Sequence, residues 1–185
     1  MIHELIDREL YEALEYARSI DQETGKRILI QFEVDQPIFS QTLFNVFPAI
    51  IAQQSDAEQY DTLAQFFADL SFDVLCVYLK AFGKMPTAEE DPSWMERQAL
   101  RLDKELAPLL VAQVNQKTAK KMREDFFKPK QGEVIQTGLV NFLNDSIDDF
   151  ASEHAYVYES AAMLELAKTM LFVVVRLFNN LYGGC

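Results

Sequence analysis

Apolar residues recur at helical spacing along nearly the whole chain, and the pattern predicts an all-α protein. Ile2, Leu5, Ile6, Leu10, Ala13, Leu14, Ala17 and Ile20 form the first stripe, with Arg8 and Glu12 charge-paired on the opposite side. The run from Asp21 to Lys26, containing Gly25, is expected to end this helix. Residues 27–34 are ambiguous. Ile28, Ile30, Phe32 and Val34 alternate as in a strand, but no comparable run exists to pair with them, so helix or an extended connector is favoured.

Asp35 and Pro37 then open a helix whose expected buried side is Ile38, Phe39, Leu43, Phe44, Phe47, Ile50 and Ile51, with Pro48 introducing a kink. Ser55 to Glu58 reads as a capping box launching a long helix to about Phe82, with Gly83 and Pro86 as its stop. Two further box-like signals, Thr87 to Glu90 and Ser93 to Glu96, precede a helix from about Trp94 that is kinked or broken at Pro108 and stops before Pro129. A fifth helix carries Ile135, Leu139, Phe142, Leu143 and Phe150.

The last helix, roughly Ser152 to Leu181, differs from all of these. Met170 to Val175 are apolar on every side of a turn, so this helix must be surrounded. The predicted architecture is a single-domain bundle, residues 1–185, of about six helices packed around an apolar C-terminal helix.

Composition agrees with this reading. The chain has 185 residues and is 49% hydrophobic, with 14 Phe and 7 Tyr, ample for one sizeable core. Glu165, Lys168 and Arg176 interrupt the apolar C-terminal segment, which argues against a membrane span. No basic-then-apolar signal pattern opens the chain, so a cytoplasmic location is expected. Cys76 and Cys185 have neither metal-site nor disulfide-scaffold spacing. Cys76, between apolar neighbours, is expected to be an inert packing residue.

The search for chemistry returns few candidates. The six glycines form no phosphate-cradling loop, there is no G-x-S-x-G, and neither His3 nor His154 belongs to a Glu-x-x-His motif. Glu12 and Glu15, with Glu58 and Asp61, form two acidic pairs at three-residue spacing that could meet across a helix interface. The arrangement resembles that of all-α nucleotide pyrophosphohydrolases, which hold Mg²⁺ on such pairs. The separation between the pairs here is longer than in their motif, and membership does not follow. Asp145, Asp149 and Glu153 would share one helical face, but Asp148, Asp149 or Ser152 as N-cap of the last helix is the favoured reading. No cofactor or metal site is expected.

Charge is the more informative feature. Net charge is −12, and residues 1–92 carry 17 acidic and 6 basic residues against 12 and 11 in the remainder. A cluster of Lys117, Lys120, Lys121, Arg123, Lys128 and Lys130 is the exception. The overall charge repels a phosphate backbone, which argues against nucleic acid as partner. On the long helix, Asp61, Asp69 and Asp73 lie opposite the apolar stripe, and the Lys117–Lys121 cluster is their candidate internal compensation. These aspartates are the expected partner-binding residues of a small acidic protein that recognises a basic or amphipathic protein surface. A carboxylate-based metal-dependent hydrolase and a carrier of an apolar ligand are the alternatives, and self-association through an amphipathic face is compatible with each.

Overall fold

The computed structural model describes residues 2–53, 58–110, 125–128, 133–154 and 161–184, without the side chains of 58–61 and 106–110. It is all-helical, as the pattern predicts, and no strand occurs among the described residues. In chain order the elements are α1 (Asp7–Ser19), α2 (Gln22–Asp35), α3 (Pro37–Gln41), a π-helical turn (Thr42–Val46), α4 (Phe47–Ala52), α5 (Glu58–Phe82), α6 (Trp94–Leu110), α7 (Thr137–Glu153) and α8 (Ala161–Gly183). With Pro37–Ala52 taken as one stretch, the described residues hold seven helical stretches, the apolar last one included.

Burial follows the sequence argument at α8. Every residue from Met170 to Leu181 is buried, and Leu171, Val174 and Phe178 have no measurable exposure. The surrounding layer includes Phe32, Phe39, Leu43, Leu63, Phe67, Leu75, Tyr78, Leu139, Leu143 and Ile147. The Phe178 ring stacks on Tyr78 at 5.1 Å between centroids and meets Phe39 at 4.9 Å, so three helices converge on one aromatic cluster. By length and composition Thr62–Phe82 could also cross a membrane, but more than half of that apolar window is buried inside the fold.

Several boundaries differ from the pattern. Residues 2–6 are not helical, and α1 starts at Asp7, where the Glu9 carboxylate accepts from the Ile6 N–H at 3.1 Å. The preceding segment is held instead by Gln136, whose side chain accepts from Leu5 N–H at 2.8 Å and donates to the His3 carbonyl at 2.7 Å. Glu4 in turn accepts from the Thr137 N–H at 3.2 Å, capping α7 from a distant part of the chain.

Gly25 does not end α1. It lies inside α2, which Asp21 caps by accepting from the Thr24 N–H at 2.8 Å, and a side chain at Gly25 would contact the Phe72 ring. Residues 27–34 are helix.

The Pro48 region also departs from expectation. The chain forms a π turn at Thr42–Val46, with Phe47 N–H donating to Thr42, just before the proline whose missing N–H breaks the ordinary ladder. The wider turn keeps the buried stripe at strict four-residue spacing, Phe39, Leu43 and Ile51. Ile38 and Ile50, expected inside, are exposed on the neighbouring stripe with Val46.

Thr87 and Glu90 make the predicted box contact, Thr87 N–H to the Glu90 carboxylate at 3.1 Å, but it closes a turn, and α6 begins after Ser93. The α6 backbone stays helical through Pro108 to Leu110. The Ser55–Glu58 box lies outside the described residues.

Candidate functional site: the acidic surface of α1 and α5

The expected last-helix start at Ser152 is corrected by the structure: Asp145, Asp148, Asp149 and Ser152 all belong to α7, so none caps α8. Asp148 pairs with Lys168 of α8 at 2.7 Å, tying the two helices together. Asp145, Asp149 and Glu153 are exposed. His154 closes α7, its ring stacked on Phe150 at 4.0 Å and its Nδ1 2.9 Å from the Phe150 carbonyl oxygen. Among the described residues no group of three or more His, Cys, Asp or Glu side chains is placed to hold a metal ion. The second acidic pair, Glu58 and Asp61, lies outside the described side chains.

Of the expected partner-binding residues, the side chain of Asp61 is likewise outside the description, and the other two separate. Asp69 is exposed and accepts from the Gln65 amide at 3.0 Å, one turn earlier on α5. Asp73 is half-buried under α1. Burial pushes its carboxyl up to about 6, Arg18 of α1 works against that shift, and Asp69 adds to it. The cation facing this carboxylate among the described residues is thus on the first helix. Lys117, Lys120 and Lys121 lie outside the described residues, while Lys128, further along the basic cluster, pairs with Asp125 at 2.8 Å.

Arg18 also lines the larger surface feature. Between α1 and the end of α5 runs an open groove of about 720 Å³ bordered by Tyr11, Glu12, Glu15, Tyr16, Arg18 and Lys80. The periodicity of α1 explains its composition. Leu10, Ala13 and Ala17 are buried against α5, which leaves the intervening polar and tyrosine positions at the rim. Tyr11 is 61% exposed and donates through its hydroxyl to Glu15 at 2.7 Å, which raises the phenol above its ordinary range. Arg8 donates to Glu12 at 2.8 Å. Lys80 Nζ lies over the Tyr16 ring, 5.5 Å from its centroid, and the Arg18 guanidinium lies 5.2 Å from that of Phe142. The surface therefore sets two aromatic faces beside the Glu12 and Glu15 carboxylates, which already accept from Arg8 and Tyr11, with Arg18 and Lys80 as the cations of its lining. The tyrosines were not singled out by sequence reasoning; their spacing on the polar side of α1 was the available signal.

A second polar group lies in the core. Arg176 of α8 donates to Glu105 of α6 at 2.7 Å and reaches Glu133 at 3.4 Å, and Arg101 pairs with both carboxylates. One turn on, Asn179 accepts from the Tyr78 hydroxyl at 2.6 Å and donates to the Val134 carbonyl at 2.9 Å, while Asn180 donates to Gln98 at 2.9 Å. These contacts join α5, α6, α8 and the segment before α7, and their geometry is structural. Cys76 is fully buried, and burial, with Asp73 nearby, pushes its thiol up to about 12.

No known family model matches the chain, and neither the curated proteins nor the solved structures yield a significant match.

Proposed function

We propose that this chain is a protein-interaction module that receives a basic or amphipathic segment of a partner protein on the acidic surface of α1 and α5. The observation that supports this most is the groove, in which exposed Tyr11 stands beside Glu12 and Glu15. A partner lysine or arginine can lie over the Tyr11 ring as Lys80 lies over Tyr16, with its charge toward the carboxylates. Asp69, on the outer side of α5, extends the negative field that steers such a partner. Asp73 stands apart from this surface: it is half-buried, and burial outweighs the attraction of Arg18 on its carboxylate.

Titration with a Lys/Arg-rich amphipathic peptide, followed by fluorescence anisotropy, tests the reading. Binding should weaken as salt is raised, and Tyr11→Ala with Glu15→Gln should lower affinity about tenfold, equivalent to about 1.4 kcal/mol. Equal affinity of wild type and the double variant, or equal binding of an acidic control peptide, overturns it. Native-host co-purification with the same variant extends the test to the physiological partner.

A further inference from the structure

Alternating apolar residues on a helix do not lie together. In α2, Ile28 and Phe32 form one stripe, directed at the core, while Ile30 and Val34 form a second on the far side. Phe32 is buried against Phe39, Phe44 and Phe178, whereas Ile30 is 52% and Val34 70% exposed, and Ile38 at the start of α3 is 60% exposed. The helix thus carries two apolar faces, and the fold covers one.

The charges around the outer face carry a definite register. With Ile30 as the centre and 3.6 residues per turn, Lys26 and Glu33 fall on the same flank, about 40° and 60° from the centre, while Arg27 and Val34 fall on the other. Lys26 precedes Ile30 by four residues and Glu33 follows it by three, so they stand about 6 Å before and about 4.5 Å after it along the axis. All three charged side chains are exposed. None of the three makes an ion pair within 4 Å among the described residues, and the Arg27 contact is a hydrogen bond to Thr24 at 3.0 Å. On α1, by contrast, Arg8 is paired with Glu12 one turn away.

We infer that the outer face of α2 docks against the same face of a second copy of this chain, in antiparallel orientation about Ile30. A two-fold axis there brings Ile30 against the partner copy's Ile30 and puts Lys26 beside the partner copy's Glu33, on the same flank and within about 1.5 Å of the same height. The symmetry makes this ion pair twice. It also places each Arg27 stem along the partner copy's Val34, covering apolar surface with its methylenes. A parallel arrangement would instead put each Lys26 beside the partner copy's Arg27, a like-charged pair made twice, so the charges select the antiparallel one. This contact is separate from the α1–α5 groove.

Charge reversal in the full-length chain, read by sedimentation equilibrium, tests the inference. Wild type should show a concentration-dependent monomer–dimer equilibrium. Lys26→Glu and Glu33→Lys should each weaken it at least tenfold, since each homodimer then opposes two like-charged pairs. An equimolar mixture of the two variants should regain dimer to near wild-type level, because Glu at 26 in one copy then meets Lys at 33 in the other, and the reciprocal pair is equally matched. Both positions are exposed, and circular dichroism at matched concentration verifies the fold. A monomeric wild type at every concentration, single variants that dimerise as wild type does, or a mixture that stays monomeric would each overturn the inference.

Discussion

Arg176 Nη1 stands 2.7 Å from Glu105 Oε2, deep in a bundle whose last helix is otherwise almost wholly apolar. The pair is completed by Glu133 and Arg101, so two cations and two carboxylates link α8, α6 and the segment before α7. The Arg176 guanidinium also lies over the Phe126 ring, 5.5 Å from its centroid. Removing one member leaves carboxylates with little solvent to replace it. Arg176→Met should therefore lower unfolding stability by about 2 kcal/mol, less than the full cost of breaking a buried pair because Arg101 remains. Urea denaturation measures this, and a loss below about 0.5 kcal/mol would show that the network contributes no more than surface pairs do.

Val174 is fully buried at the centre of the same helix. Val174→Asp introduces a carboxylate among apolar neighbours and should cost several kcal/mol, a large share of the roughly 5–15 typical of a folded domain. A melting temperature equal to that of wild type would contradict the placement of α8 as the central element.

Asp73 gives the fold a specific pH dependence. Its carboxyl ionises at about 6 in the folded chain and near the ordinary 3.8 when unfolded. Between these values the folded state binds more protons, so this group's contribution to stability falls as pH rises from about 4 to about 6 and is level above. Asp73→Asn should abolish that fall and raise stability at pH 7 by about 1 kcal/mol, a figure discounted for the half-exposed position. Denaturant melts of both proteins at pH 4 and pH 7 test it; a variant less stable than wild type at pH 7 would mean that the attraction of Arg18 outweighs burial.

Cys76 should be chemically silent. Its thiol is buried and shifted to about 12, so in a Cys185→Ser background a disulfide reagent at pH 8 should modify it only as fast as the protein opens. Immediate modification of the native protein would contradict the core placement of that side of α5.

The core was largely legible in the sequence because burial imposes a period. Leu10, Ala13 and Ala17, the α5 residues Leu63, Phe67, Leu70, Val74, Leu75 and Tyr78 at helical spacing, and Met170 to Val175 on every side of α8 are all buried. Boundaries were less legible where distant residues decide them. Residues 2–6 carry apolar residues at helical spacing, but Gln136 holds them in a non-helical path, and Glu4 caps a helix that begins more than 130 residues later. The alternation at 28–34 resembled a strand because a helix with two apolar faces shows the same pattern. Half of the candidate surface could be read in advance: the acidity of α5 is visible in Asp69 and Asp73. The partition of those residues was not, since it depends on Arg18 approaching from another helix. The tyrosines of the groove become distinctive only once α1 lies on α5.

Recognition of basic segments by the α1–α5 surface, proposed above, is checked by backbone amide shift mapping during titration with a Lys/Arg-rich amphipathic peptide. Saturable shifts should concentrate at Tyr11, Glu12, Glu15, Tyr16 and Asp69, diminish with salt and be lost in the Tyr11→Ala/Glu15→Gln variant. Shifts clustered elsewhere on the molecule, or a linear response with no saturation, would contradict it.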